Sequence, residues 1–351
     1  MSHNSPSMRA LVEALFQPSH SRNPDGSMGA ELELIPVRDH SHRRVMIERN
    51  NEGPGSADII RDAGAARGWR EEIDAYGAPS WVMPDGGHVF YEPGGQIEIS
   101  SPVFPSAAAL EKFLRDVVHA IRGSAHAADV VFLTSGVDPY NSLETVPLVL
   151  HAPRYEAMTR YFDSIGASGA RMMRQTASLQ VSVELGARPF ERWKLLNSLA
   201  PYLVAAYANS PNYEGSQTGY ASYRAQLWQT LDRTRTGLPF DAHDPVSAYT
   251  RFAEGAGRIL DDEAAHLTTL FPEIRPRGYF EIRSMDAMEP DRVGEALQFI
   301  SRLVHDDDAA AEAQELVGDP NTSLLPRAAE FGRSDPTIDA PLKVLDILVA
   351  D

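Results

Sequence analysis

The sequence predicts an α+β fold, and three observations carry that prediction. Short segments alternate apolar and polar residues, the pattern of half-buried antiparallel strands. Longer segments place apolar side chains at helical spacing, as Leu110, Phe113, Leu114, Val117, Val118 and Ile121 do. The two kinds do not follow one another in a regular strand–helix–strand order, which argues against a parallel sheet. No break in composition divides the 351 residues, so residues 1–351 are read as one domain, with core motifs over 29–287 and C-terminal helices over 291–351.

Taken in order, a short helix is expected over Ala10 to Phe16, leading into a strand from Ala30 to Val37. The polar stretch Asp39 to Ala57 reads as a loop, and His40 and His42 within it as solvated rather than metal-binding. Trp81 to Ser101 reads as a hairpin turning at Pro84-Asp85-Gly86-Gly87. A helix is expected from Ser106, its N-cap, to Ala127, and a strand over Val130 to Gly136. Helices follow at Arg154 to Asp163, Phe190 to Ala208, Tyr220 to Asp232 and Val246 to Leu260, with an alternating strand at Thr176 to Glu184. Asn209-Ser210-Pro211 stops one helix and is a second-choice candidate for a substrate-side loop. Arg277 to Arg283 is the last strand, and helices close the chain at Asp291 to His305 and Asp308 to Val317.

The balance of 32 basic against 49 acidic residues, a net charge of −17, argues against a nucleic-acid partner or an anionic membrane surface. No stretch approaches the length of a membrane span. Met1 to Asn23 lacks the pattern of a secretory leader, so a cytoplasmic enzyme is expected. The absence of cysteine excludes disulfides, thiolate zinc sites and a cysteine nucleophile. No phosphate-binding Gly-x-x-x-x-Gly-Lys loop, dinucleotide fingerprint or nucleophile elbow is present. The sequence sets no oligomeric state.

Three strand-like segments carry carboxylates on alternating positions: Gly29 to Ile35, Tyr91 to Ser100 and Gly278 to Arg283. Residues i and i+2 of a strand share a face at about 6.5–7 Å. Glu31 with Glu33, Gln96 with Glu98, and Glu281 with Arg283 should each point the same way. Packed, unpaired carboxylates are costly, and divalent cations relieve that cost. Hard oxygen donors select Mg²⁺ or Mn²⁺, and Mg²⁺ commonly bridges substrate phosphates. The chain therefore reads as a metal–nucleotide enzyme. Gln180, Ser182 and Glu184 share a face of another strand; Gln180 can offer a neutral oxygen to a metal or bind substrate, although the strand alone reads as ordinary surface. Arg224, Trp228 and Asp232 fall on one helix face, either as an anion clamp or as an Arg–Asp surface pair over tryptophan.

Together these segments resemble the glutamate–cysteine ligase family, in its plant-like and actinobacterial branch. The matching motifs are Gly29 to Glu33, Tyr91 to Pro102, Ala152 to Phe162, Met172 to Val183, Ala208 to Arg235 and Arg275 to Ala287, in order. The resemblance implies a glutamine synthetase-like catalytic fold, a curved antiparallel sheet with helices on its outer face, holding ATP, glutamate and Mg²⁺ (Mn²⁺ as the alternative). It implies a metal-binding set of Glu31, Glu33, Glu92, Glu98, Gln180 and Glu281, and places Arg283 and Arg224 as catalytic residues facing the substrate carboxylate or the transferring phosphate. Gln96, Met172, Thr176 and Trp228 join the two arginines as substrate- or nucleotide-binding residues.

The reaction so implied joins the γ-carboxylate of glutamate to the amine of cysteine at the expense of ATP. The alternatives are a ligase of the same fold with another amine or carboxylate, and a catalytically silent nucleotide-binding relative. Two departures stand out. The branch pattern Gln-Val-Asn-Leu-Asp is here Gln180-Val181-Ser182-Val183-Glu184, and Ser284 follows Arg283 where a tyrosine is common.

Overall fold

One strand organises the computed structural model, which describes residues 6–18, 26–75, 77–241 and 244–350. The leader reading of Met1 to Asn23 lies partly outside the described residues. The organising strand is β1 (Met28–Arg38). Leu32 and Leu34 are fully buried in the core, while Glu31 and Glu33 point to the opposite face. β1 pairs antiparallel on one side with β5 (Ile97–Ser100) and on the other with β7 (Ser178–Val183). Its last residues, Ile35 to Arg38, pair instead with β6 (Val130–Leu133).

Beyond β5 the sheet continues through β4 (His88–Tyr91), β3 (Pro79–Val82) and β2 (Arg70–Ile73). Beyond β7 it continues through β13 (Phe280–Asp286) to β12 (Ile274–Pro276). Two small sheets lie apart: β8 (Asn212–Tyr213) with β9 (Ser216–Gln217), and β10 (Thr236–Gly237) with β11 (Phe271–Pro272), the latter pair parallel.

The large sheet is antiparallel throughout, as expected, but its expected curvature is corrected. The nine-stranded sheet is open, with edges at β12 and β2, and neither it nor the two small sheets is curved or closed. The sheet stays open because β1 changes partners partway along, Glu31 to Leu34 pairing with β5 and Ile35 to Arg38 with β6, so pairing branches instead of closing on itself. Separately, β13 shifts register against β7 between Ile282 and Met285, an irregularity local to that pair. The fold is mixed α/β with several sheets.

The helices are α1 (Met8–Leu15), α2 (Ser56–Ala65), α3 (Ala107–Ala125), α4 (Pro153–Asp163), α5 (Ser168–Gln175) and α6 (Pro189–Ala206). There follow α7 (Tyr223–Leu231), α8 (Pro245–Gly255), α9 (Glu263–Leu267), α10 (Pro290–His305), α11 (Asp307–Val317), α12 (Leu324–Phe331) and α13 (Pro336–Ala350). Helix α3 packs on β1 and β6 through the apolar stripe expected for it, and Ser106 caps it by accepting from the Ala109 N–H. Helix α6, buried along most of its length, packs on β12 and β13. Among the described residues no helix is long and apolar enough to cross a membrane.

Three local readings change. The polar stretch before Ala57 gives way to α2, which starts at Ser56. The single hairpin over Trp81 to Ser101 is a three-strand meander, because Glu92 to Gln96 forms a second turn in which the Glu92 N–H donates to the Gln96 carbonyl. Arg277 to Arg283 is not one strand: Gly278, at φ +76°, turns the chain between β12 and β13.

Candidate active site

Strand register assembles the site. Glu33 lies opposite Glu98 on β5, and Glu31 opposite Gln180 on β7. Directly opposed like charges destabilise a sheet, so the Glu33–Glu98 pair carries a cost that a bound cation would relieve. These side chains line a cavity of about 180 Å³ together with Glu92, Gln96, Thr176 and Ser178. Its other wall is basic and aromatic: Arg154, Arg224, Arg275 and Arg283 with Tyr155, Trp228 and Phe271, and Met158, Met172 and Met173 fill the apolar part.

The basic wall is built by four elements: β12 carries Arg275, and β13, α7 and α4 carry the other three arginines. Arg283 projects from β13, its Nη1 donating to Gln180 Oε1 at 2.6 Å and to Glu281 Oε2 at 2.6 Å. Arg224 sits in the first turn of α7 and donates from Nη2 to the Arg283 carbonyl at 2.9 Å. Both guanidinium groups lie against the Trp228 indole, with centroid distances of 5.0 and 5.4 Å. That ring is fixed by its own Nε1, which donates to the Phe271 carbonyl at 2.9 Å. Arg154, near the start of α4, donates to the Thr268 carbonyl at 2.8 Å.

The carboxylates divide into two kinds. Glu281 is fully enclosed by cations: Arg275 and Arg283 at 2.6 Å and Arg277 at 2.9 Å. Burial alone would raise its carboxyl, but those three arginines outweigh burial and hold it well below the ordinary range. Glu98 is the opposite case. Burial, then the charges of Glu31, Glu92, Glu33 and Glu281, push its carboxyl well up. Burial and Glu33 raise Glu92 to about 8, and burial and Glu281 raise Glu31 to about 7. Glu33 is raised by burial but opposed by Arg224, and it accepts from both the N–H and the Oγ of Ser178, at 2.9 and 3.0 Å.

Glu31, Glu92 and Glu98 thus form a patch of unneutralised oxygen donors, which suits a hard divalent cation. Among the described residues no three of these glutamates bring ligand oxygens within 4.8 Å of one another. The one such group, Asp39, His40 and Asp129, is exposed and separate from the cavity. The donor set nevertheless fits Mg²⁺, which is commonly held by one or two carboxylates plus substrate oxygens and water.

All the expected site residues line the cavity except Glu281, which is buried among arginines. Gln180, expected as a metal ligand, spends its oxygen on Arg283 and donates weakly to Glu33 at 3.4 Å. Gln96 braces the Glu92 turn: its Oε1 accepts from the Gly94 N–H at 3.0 Å and its Nε2 donates to the Thr176 carbonyl at 2.8 Å. Asp232 is not Arg224's partner; it binds Arg235 at 2.8 Å and the Tyr161 hydroxyl at 2.8 Å. Arg154, Arg275 and Ser178 were not picked out from sequence. Arg275 carries a signal, since it stands two residues before Arg277 as Glu281 stands two before Arg283, and it lies opposite Glu281 across the Gly278 turn.

A buried pocket that sets unneutralised carboxylates against a row of arginines defines an enzyme that handles anionic substrates. The chain belongs to the glutamate–cysteine ligase family 2, whose match covers residues 27–331. It is 32% identical over 303 residues to the glutamate–cysteine ligase EgtA of Mycolicibacterium smegmatis, covering 76% of this chain and 71% of that one. The chloroplastic glutamate–cysteine ligase of Brassica juncea is 27% identical over 266 residues, 65% of this chain and 52% of that one. Among solved structures, the glutamate–cysteine ligase of Francisella tularensis in complex with AMP aligns with 95% of this chain and 83% of that one, at 11% identity and a TM-score of 0.46.

Proposed function

We propose that this enzyme is an ATP-dependent ligase that joins the γ-carboxylate of L-glutamate to the amine of L-cysteine, releasing ADP and phosphate. The observation that carries this reading is the meeting, in one cavity, of the unneutralised Glu31, Glu92 and Glu98 with Arg154, Arg224, Arg275 and Arg283. A carboxylate is a poor acyl donor, so amide formation needs it activated. Its oxygen attacks the γ-phosphorus of ATP, the bond to ADP breaks, and an acyl phosphate results. The amine then attacks the acyl carbon, phosphate departs with the former carboxylate oxygen, and the nitrogen gives up a proton. Phosphoryl transfer of this kind depends on positioning and electrostatics rather than on a protein nucleophile.

Glu31, Glu92 and Glu98, with Glu33 beside them, would hold divalent cations, which supply charge neutralisation for the polyphosphate when bound. Arg224 and Arg283 orient the γ-carboxylate and the phosphoryl oxygens through planar, multiply donating guanidinium groups. Gln180 and Glu281 act one step back, fixing Arg283. Trp228 packs its ring against both guanidinium groups, and Met172 with Thr176 lines the substrate side.

The test supplies ATP, Mg²⁺ and glutamate labelled with ¹⁸O in its γ-carboxylate, and adds single amino acids. The expected result is the mass of γ-glutamylcysteine with cysteine alone, and label appearing in the released phosphate. Product with a different amine would replace the acceptor, and unlabelled phosphate would remove the acyl phosphate.

A further inference from the structure

One buried carboxylate outside the cavity is connected to it by an unusual route. Asp286 ends β13, three residues beyond Arg283, and is 1% exposed. Its Oδ2 accepts from the Asn209 N–H and from the Ser210 hydroxyl, both at 2.7 Å. Its Oδ1 accepts from the Ser222 hydroxyl at 2.9 Å and lies 3.8 Å from Arg224 Nη1. Ser222 is the N-cap of α7, accepting from the Ala225 N–H at 3.0 Å. The Ser210 hydroxyl in turn accepts from the Arg224 N–H at 3.1 Å.

We propose that Asp286 is the positioning residue for Arg224, a role that rests on the assignment of Arg224 to the ligase chemistry. Both ends of Arg224 are referred to this one carboxylate, the main chain through Ser210 and the guanidinium directly. The Asn209-Ser210 segment, which the sequence offered as a helix stop, is therefore part of the aiming device. Gly136 completes it: a Cβ there would stand 2.3 Å from Asp286 Cγ, so any side chain would displace the carboxylate. Because Asp286 and Arg283 share a strand, the two arginines keep a fixed relation to each other. A buried acid serving packing alone has no need to gather its donors from the two segments that deliver one arginine.

The test is a double-mutant cycle of Asp286→Asn with Arg224→Ala, read in the ligase assay with full steady-state kinetics. The amide cannot accept at both positions. In the otherwise natural protein kcat should fall about 10- to 100-fold, with the KM of the amine unchanged. In the Arg224→Ala background Asp286→Asn should change kcat/KM by less than about two-fold. An equal loss in both backgrounds, with Arg224→Ala itself crippling, overturns the positioning role alone. Full turnover in Arg224→Ala, or no ligase turnover in the natural protein, removes the underlying reading and the proposal with it. Should Asp286→Asn not fold, Gly136→Ala and Ser222→Ala replace it in the same cycle with the same expected outcomes.

Discussion

Glu98 and Glu281 are both buried glutamates of one site, yet their substitution by glutamine should act on stability with opposite signs. Glu98 is surrounded by carboxylates, and its charge is raised in energy by burial and by four other glutamates. Glu98→Gln should therefore raise the Tm of the metal-free protein by about 2 °C or more, while turnover falls by about 100-fold or more. Glu281 neutralises Arg275, Arg277 and Arg283. Glu281→Gln leaves those cations uncompensated and should cost about 3–5 kcal/mol. Thermal unfolding of both variants without metal checks the pair, and a shared sign refutes this division of the carboxylates. The convergence of Glu31, Glu33 and Glu98 was legible because a strand period of two fixes a side chain's face from its position. The arginine cage was not, because it depends on a hairpin whose turn at Gly278 was read as the start of a strand.

At the level of elements, β7 joins the cavity at one end to a separate ion cluster at the other. Glu184, just past the strand, pairs with Arg192 on α6 at 2.7 Å and with His305 on α10 at 3.1 Å. This gives the departure from the branch pattern a physical place: neither Ser182 nor Glu184 lines the cavity, and Ser284 does not either. Burial alone would raise the Glu184 carboxyl, but His305 and Arg192 outweigh it and bring it down to about 2. A carboxyl depressed on folding stabilises the protein above its unfolded pKa, about 4.5. That contribution, about 1–2 kcal/mol once solvent screening is allowed for, is lost as pH falls from about 4.5 towards about 2. Glu184→Gln should lower stability at neutral pH and flatten this acid limb, as measured by denaturant unfolding across that range. The Glu92 turn offers a second case. Gly94 is approached so closely that a Cβ would lie 2.2 Å from the Arg174 carbonyl oxygen, and its own carbonyl accepts from Arg44 at 2.6 Å. Gly94→Ala should displace Glu92 and lower kcat about 10- to 100-fold, with secondary structure by circular dichroism unchanged. Arg44 was not legible in the sequence, because its partners Gly94 and Asp138 are distant in the chain.

Across the whole molecule two fields of opposite sign act on an incoming anion. The net charge of −17 repels it from a distance, while the arginine wall attracts it inside the cavity. The first field is carried mainly by exposed side chains and falls off over the Debye length, about 10 Å at 0.1 M salt and about 30 Å at 0.01 M. The second comes from buried groups, Arg224 at 3% and Arg283 at 7% exposure, which salt screens far less. Raising ionic strength from about 0.01 to about 0.15 M with an inert salt, at fixed free Mg²⁺, therefore removes more repulsion than attraction. The kcat/KM for the nucleotide should rise by about two- to five-fold, the gain lying in KM and leaving kcat unchanged. Steady-state kinetics across a salt series decides it, and a falling kcat/KM means that the local arginine field reaches beyond the cavity mouth and governs encounter. The acidic surface was plain from composition. The buried basic wall opposing it was not, because composition counts charges without saying which of them the fold takes out of water.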